Sequence, residues 1–255
     1  MARAACHNPP VASGRDAGTA DGEAEGPEVS DRTRLRRFPE RGSHQPADLH
    51  AVLDSGFVCH LGIVVGGWPM VVPTTYGRSG DVLYVHGSVA SRSLRAAGEA
   101  APACVTVTHV DGLVVARSVF EHSVNYRCAM VYGTPRLLAE AADKRAGLRA
   151  ISEQAAPGQW DYARAPTDRE LAVTTVLRFD LTEASVKVRE GPPDDGDGPD
   201  AALAVWAGVV PLRTVRLDPV ADPALGADVG LPDHLARGPV PPGSVPWRDL
   251  AAPDG

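Results

Sequence analysis

From Phe57 to Val119 the chain falls into short apolar and β-branched runs separated by glycine-rich turns. Phe57 to Val65 is nearly all apolar, and Gly66-Gly67 reads as a hairpin turn. Met70 to Tyr76 pairs back on that run. Gly77-Arg78-Ser79-Gly80-Asp81 then supplies glycines for the positive φ of a second hairpin, and Val82 to Val85 continues the meander. After a short helix over 91–97, Ala103 to Val110 is a strand with threonines alternating at 106 and 108. Asp111-Gly112 is the strongest hairpin signal in the chain, with Leu113 to Val119 as the partner strand. Cys128 to Tyr132, Thr174 to Leu181 and Ser185 to Arg189 add further strands. Evenly spaced short strands with tight turns are the pattern of an all-β barrel.

Helical periodicity is confined to a few places. Pro46 opens a helix, Ala47 to Asp54, whose apolar face is Leu49, Val52 and Leu53, and Gly56 ends it. Residues 139–154 are Ala-rich with Leu148 and Ile151 on one face, and Pro157-Gly158 stops them. Thr167-x-x-Glu170 is a capping box before Leu171 and Val173. The pattern divides the chain into a disordered N-terminal tail over 1–36, a barrel domain over 37–217 and a Pro-, Ala- and Gly-rich C-terminal tail over 218–255. There is no fixed-period repeat.

Composition narrows the function classes. At 255 residues and 44% hydrophobic content the chain has room for one ordinary core plus tails. With aromatics at 5%, Val, Leu and Ala must fill that core. A net charge of −7 argues against a general nucleic-acid surface, and the short cluster Arg32, Arg34, Arg36, Arg37 reads as a solvated lead-in. Cys6, Cys59, Cys104 and Cys128 form no C-x-x-C pair, so neither a metal site nor a disulfide framework is expected. The N-terminus has no apolar signal region, and no run approaches the ~20 apolar residues of a membrane helix. The expectation is a soluble cytoplasmic protein with no membrane partner. G-x-G-x-x-G, G-x-x-x-x-G-K, H-E-x-x-H and G-x-S-x-G are all absent. That removes the usual nicotinamide-fold, nucleotide-hydrolase, zinc-protease and serine-hydrolase readings.

The positive chemical signals lie after Val85. The chain turns through His86-Gly87-Ser88 and enters a helix whose first turn is Ser91-Arg92-Ser93. Hydroxyls, a guanidinium and free amides converge there, as a phosphate site requires. The plain alternative is a capped helix with an exposed arginine. His86 reads either as a structural histidine or as a ligand or base. His122, Asn125 and Arg127 form either a polar network closing a barrel end or part of a site. Lys187 and Arg189 alternate on one strand and share a face, as solvated surface or as an anion contact.

Several stretches together carry a family resemblance. They are Val58-Cys59-His60-Leu61-Gly62, Pro73-Thr74-Thr75-Tyr76-Gly77, Leu83-Tyr84-Val85-His86-Gly87-Ser88 with Ser91-Arg92, and Val105-Thr106-Val107-Thr108 with Asp111 to Ser118. His122 to Arg127, Ser185 to Pro193 and Trp206 to Leu212 complete the set. From about Arg37 to Leu212 the chain resembles the FMN-binding split-barrel proteins of the pyridoxamine 5′-phosphate oxidase family. It is nearer to the flavin-nucleotide-binding, nitroimidazole-resistance-like branch. The resemblance implies a mainly β fold, a six-stranded split barrel with flanking helices. It also implies a homodimer with two FMN sites at the interface. Val72, Pro73, Thr74 and Thr75 would contact the flavin ring, partly through backbone groups, and Val85 and His86 would continue that wall. Ser88, Ser91, Arg92 and Ser93 would hold the 5′-phosphate, Ser93 standing where the oxidase branch often has lysine. Arg127 and Cys128 match the strand nearing the ring edge, and Lys187 and Arg189 match the last strand returning to the cofactor. The only catalytic candidate is His86, which matches a strand-end histidine of the nitroimidazole-resistance-like proteins.

The oxidase's own substrate-binding C-terminal segment is not recognisable in Trp206 to Leu212. The implied activity is therefore an FMN-dependent oxidoreductase acting on another small molecule, with NADH or NADPH as donor. The alternative is a non-catalytic protein of the same fold, holding flavin as a store or sensor, or binding haem through His60, His86, His109 or His122. Deazaflavin presents a similar tricyclic ring to FMN. A third reading is an interaction module with an empty cleft.

Overall fold

The computed structural model describes residues 27–99 and 101–236. The outer parts of both expected tails, 1–26 and 237–255, lie outside the described residues. Strand β1 (Gly42–Ser43) and helix α1 (Pro46–Asp54) lead into the sheet, and α1 buries Leu49, Val52 and Leu53 as its periodicity predicts. Strands β2 (Val58–Val65) and β3 (Trp68–Ser79) are joined by Gly66 and Gly67, both at positive φ (58° and 81°), as a tight hairpin demands. The turn to β4 (Val82–Ser88) is shorter than the sequence suggests: only Gly80 takes positive φ, at 56°. Gly77 lies inside β3, where a helix packs on it.

Helix α2 (Arg92–Gly98) leads to β5 (Ala103–Val115). Here the Asp111-Gly112 hairpin is overturned. Strand β5 runs straight through it, with only a register shift between Val110 and Gly112 against β6 (Ser123–Gly133). An unbroken partner along both halves satisfies the main chain better than a local turn could. Leu113 onward is thus the far half of one strand.

Strand β7 (Arg136–Leu137) and helices α3 (Ala141–Ala155), α4 (Gln159–Tyr162) and α5 (Asp168–Ala172) follow. The predicted capping box is present: the Thr167 hydroxyl accepts from Glu170 N–H, and the Glu170 carboxylate accepts from Thr167 N–H. The chain ends through β8 (Thr174–Asp180), β9 (Ala184–Arg189), β10 (Gly208–Pro211) and α6 (Asp233–Ala236).

The sheet order is β1-β9-β6-β5-β2-β3-β4-β8-β7, with β10 added to β5. All pairings are antiparallel. Where the family resemblance implies six strands, ten are present among the described residues; β1, β7 and β10 are short edge additions of two to four residues. Strand β6 pairs β9, and β7, just after it in the chain, pairs β8, so this run joins the two ends of the sheet. The enclosed core is Leu- and Val-rich, with Tyr76 and Phe179 its largest members. No helix among the described residues is long and apolar enough to cross a membrane.

Cys59 is fully buried in this core, and burial pushes its thiol up to about 12. At pH 8 it is protonated and shielded, so a disulfide reagent is expected to leave Cys59 unmodified until the protein unfolds. Peptide mass mapping after native labelling checks this; rapid native modification of Cys59 would refute its burial.

Candidate functional site

The site begins where β3 changes partner. It pairs β2 from Trp68 to Thr75, but pairs β4 only from Tyr76 to Ser79. Strand β4 continues through His86 to Ser88 against β8 alone. The two strands therefore part at Tyr76. Among the described residues, one edge of Trp68–Thr75 and one edge of His86–Ser88 have no strand partner, so their main-chain groups can serve a ligand.

Helix α2 starts at the end of that split. Ser91 caps it, its Oγ accepting from Leu94 N–H at 3.4 Å and lying 2.9 Å from Ser93 Oγ. Ser88 Oγ accepts from Ala90 N–H at 3.1 Å. Ser93 is buried, whereas Arg92 is exposed and pairs with no carboxylate among the described residues. A Cβ on Gly66 would sit 3.8 Å from Arg92 Nη2, which puts this free guanidinium beside the tip of the β2–β3 hairpin. Three hydroxyls and an unpaired cation thus meet at the open end of the split.

The four predicted ring contacts divide between two faces. Val72 and Thr74 pair with buried Leu61 and Cys59, whereas Pro73 and Thr75 pair with exposed His60 and Val58. Only their shared main-chain edge presents all four to one ligand. Val85 is wholly buried in the core, so its side chain has no surface for a cofactor. Val85 can therefore continue the wall only through its main chain. The period of two in a strand sends Val85 inward and His86 outward.

His86 lines a separate cavity of about 390 Å³ under α3, α4 and α5, with Leu148, Ile151, Trp160 and Pro166. Its Nδ1 is buried and has no hydrogen-bond partner. Burial lowers its pKa, favouring neutral imidazole.

Arg127 is held elsewhere. Its Nε and Nη2 each donate to Asp111 at 2.9 Å, and Nη1 donates to Ser55 Oγ at 3.0 Å. Those residues border a larger cavity of about 1240 Å³, with His109, Asn125 and Leu212. Arg127 is therefore occupied by a carboxylate that the sequence assigned to a turn. Cys128 is half-buried, its thiol pushed up by burial, and it pairs in register with Lys187. Lys187 Nζ donates to the Arg37 carbonyl at 2.7 Å. Arg189 is buried and donates to Asn125 Oδ1 at 2.5 Å and to the Pro192 carbonyl at 3.3 Å, which makes it a strut for the loop after β9. The structure thus brings Ser88, Ser91, Arg92 and Ser93 together with the β3 edge. It leaves His86, Arg127 and the Lys187–Arg189 pair in different surroundings. The walls of the His86 cavity escaped the sequence reading, because their only signal is the apolar face of residues 139–154.

Residues 45–188 match the family model described as pyridoxamine 5′-phosphate oxidase. Among solved structures, the flavocytochrome Anf3 from Azotobacter vinelandii is 36% identical with a TM-score of 0.77, covering 83% of this chain and 98% of that one. The FAD and haem binding protein from Mycobacterium smegmatis is 41% identical with a TM-score of 0.73, covering 77% and 96%. A proposed 5-nitroimidazole antibiotic resistance protein from Bacteroides thetaiotaomicron shares the fold at 19% identity and a TM-score of 0.50, covering 58% and 86%. A search of curated proteins found no match.

Proposed function

Because this chain belongs to the pyridoxamine 5′-phosphate oxidase family, we propose that it is a flavin-binding redox protein acting on a small molecule, with haem as a second cofactor. The observation that carries the flavin reading is the unpaired Arg92 guanidinium among Ser88, Ser91 and Ser93 at the open end of the β3–β4 split. Such a cradle suits the 5′-phosphate common to FMN and FAD. The free main-chain edge of Val72 to Thr75 suits the polar rim of the ring. When bound, the flavin supplies hydride or electron transfer, and this chain supplies position and charge. NADH or NADPH is the donor in this reading, and the cytoplasm its compartment.

The haem reading is favoured by the two relatives at 36% and 41% identity, one described as a flavocytochrome and the other as binding FAD and haem. A homodimer belongs to the same proposal. Val58, Val64 and Val71 lie exposed on the outer face of β2 and β3, which suits cover by a second copy.

The first test is the absorbance spectrum of the purified, undenatured protein, followed by chromatography of whatever heat releases. Flavin bands, with FMN or FAD in the supernatant, are expected. A colourless protein that takes up neither added FMN nor added FAD would sink the proposal. Arg92→Ala is expected to weaken flavin binding by ~1.5–3 kcal/mol, the range for a hydrogen bond to a charged group. That is roughly 10- to 150-fold in Kd. An unchanged Kd by fluorescence titration would remove Arg92 from the phosphate site.

A further inference from the structure

The cavity beneath α3, α4 and α5 is separate from the flavin cradle, and its polar side chains share one property. Glu170, at its wall, is already taken. Its carboxylate accepts from Arg164 Nη1 and Nη2 at 3.0 and 2.8 Å, from Thr167 N–H at 2.7 Å and from the Thr167 hydroxyl at 3.0 Å. That is about as many donors as a carboxylate accommodates. Arg164 first, then Thr167, hold its pKa down to about 2, so it stays ionised and matched to the guanidinium. Gln159 Oε1 is taken as well, by His234 Nε2 at 2.9 Å. The carboxylate and amide oxygens at this wall are thus spoken for.

The donors are free. Ser152 Oγ, Gln159 Nε2, Trp160 Nε1 and His86 Nε2 have no hydrogen-bond partner among the described residues, and none of them is sealed from open space. His86 Nδ1, by contrast, is sealed and has no acceptor. Burial keeps the ring neutral. A proton on Nδ1 would meet nothing, whereas one on Nε2 reaches open space, so Nε2 carries it and Nδ1 stays a bare lone pair outside the site. Between these donors lie Leu148, Ile151, Ala163 and Pro166, and 390 Å³ falls within the range of small-molecule sites. Arg164 is balanced by Glu170 and His86 is neutral, so a ligand carboxylate would find no unmatched positive charge among the lining side chains.

We propose that this cavity binds a small, uncharged ring compound through its carbonyl oxygens, a cyclic imide or diketone in chemical class. Apolar walls take the ring, and the indole, hydroxyl, amide and imidazole donors take the oxygens. A ligand bearing N–H or O–H groups instead would find Glu170 and Gln159 Oε1 already occupied, and its own donors would be desolvated without a partner. The site therefore selects for acceptors as well as for shape. The assignment uses no flavin and no second cofactor. Of its donors only His86 belongs to a strand of the flavin cleft; Ser152 is on α3, and Gln159 and Trp160 are on α4.

The test is calorimetric titration of the purified full chain with N-methylphthalimide, a fused-ring imide with carbonyls and no N–H. Saturable binding at about one imide per chain is expected. Indole, of similar size with an N–H and no carbonyl, should bind several-fold more weakly. Ser152→Ala and Trp160→Phe each remove one donor and should raise the Kd of the imide by about 2- to 12-fold, the value of one neutral hydrogen bond. Ser152→Leu puts apolar bulk into the cavity and should abolish binding. Far-UV circular dichroism establishes that each variant is folded. Indole binding as tightly as the imide overturns the proposal, as do wild-type affinities in both donor variants. Tighter binding of the ring-carboxylated imide overturns the uncharged ligand class. Unchanged affinity in folded Ser152→Leu puts the imide elsewhere and overturns the site. A wild type that takes up no imide overturns the proposal outright, while the flavin reading stands or falls separately on its absorbance spectrum.

Discussion

Gly77→Val is expected to lower stability by about 3 kcal/mol or more, at the upper end of what overpacking a well-filled interior costs. A Cβ at position 77 would stand 2.3 Å from the carbonyl carbon and oxygen of Ala150 and 2.3 Å from the amide nitrogen of Ile151. Those atoms are backbone of α3, so no rotamer change relieves the clash. The whole helix must retreat. Gly147 on the same helix repeats the arrangement from the other side, where a Cβ would meet Tyr84 and Val176 at 2.9 Å. Two glycines thus let α3 lie directly on β3 and β4. In a domain of this size each kcal/mol shifts Tm by roughly 2–4 °C, so a fall of about 6–12 °C is expected in a thermal melt. A melt within 2 °C or so of the wild type would mean that α3 does not sit where Gly77 places it.

Gly77 also shows what the sequence conceals. A glycine that admits a neighbouring helix and one that makes a turn look identical along the chain. Placing Gly77 in the β3–β4 turn was the natural reading, and only Gly80 takes positive φ there. Asp111-Gly112 fails for a related reason. Its local preference for a hairpin is real, but β6 offers a partner along all of β5, and Asp111 is claimed by Arg127 sixteen positions on. Signals that close over a few residues were legible. Gly66-Gly67, the Thr167–Glu170 box and the apolar face of α1 all form as read. The cluster of Ser88, Ser91, Arg92 and Ser93 belongs with them, since it lies in one short stretch. The His86 cavity does not, because its walls come from residues 148–170, and only the fold brings them over β4. Arg127 and Arg189 were recognisable as cations of interest. That Asp111 and Asn125 already occupy them is tertiary information.

Tyr76 is the residue on which the split itself depends, and two substitutions separate its functions. It is fully buried, the largest side chain so enclosed, at the point where β3 leaves β2 for β4. Its N–H donates to the Phe57 carbonyl at 3.0 Å, its hydroxyl donates to the Leu53 carbonyl, and burial pushes the phenol pKa far above its ordinary value. Tyr76→Ala removes a ring from a close-packed core and is expected to cost about 3–5 kcal/mol, as large aromatic truncations do. Tyr76→Phe keeps the ring. The Leu53 carbonyl then still accepts from Gln154 Nε2 at 3.0 Å, so no acceptor is stranded. The loss should be only about 0.5–1.5 kcal/mol, the net value of one hydrogen bond. Denaturant melts of the two variants check the difference. If Tyr76→Phe proves as damaging as Tyr76→Ala, the hydroxyl and not the ring holds β3 at its branch point. With the ring as the anchor, Tyr76→Phe keeps the edges of Val72–Thr75 and His86–Ser88 apart and binds flavin normally, while Tyr76→Ala loosens both edges and loses flavin affinity along with stability.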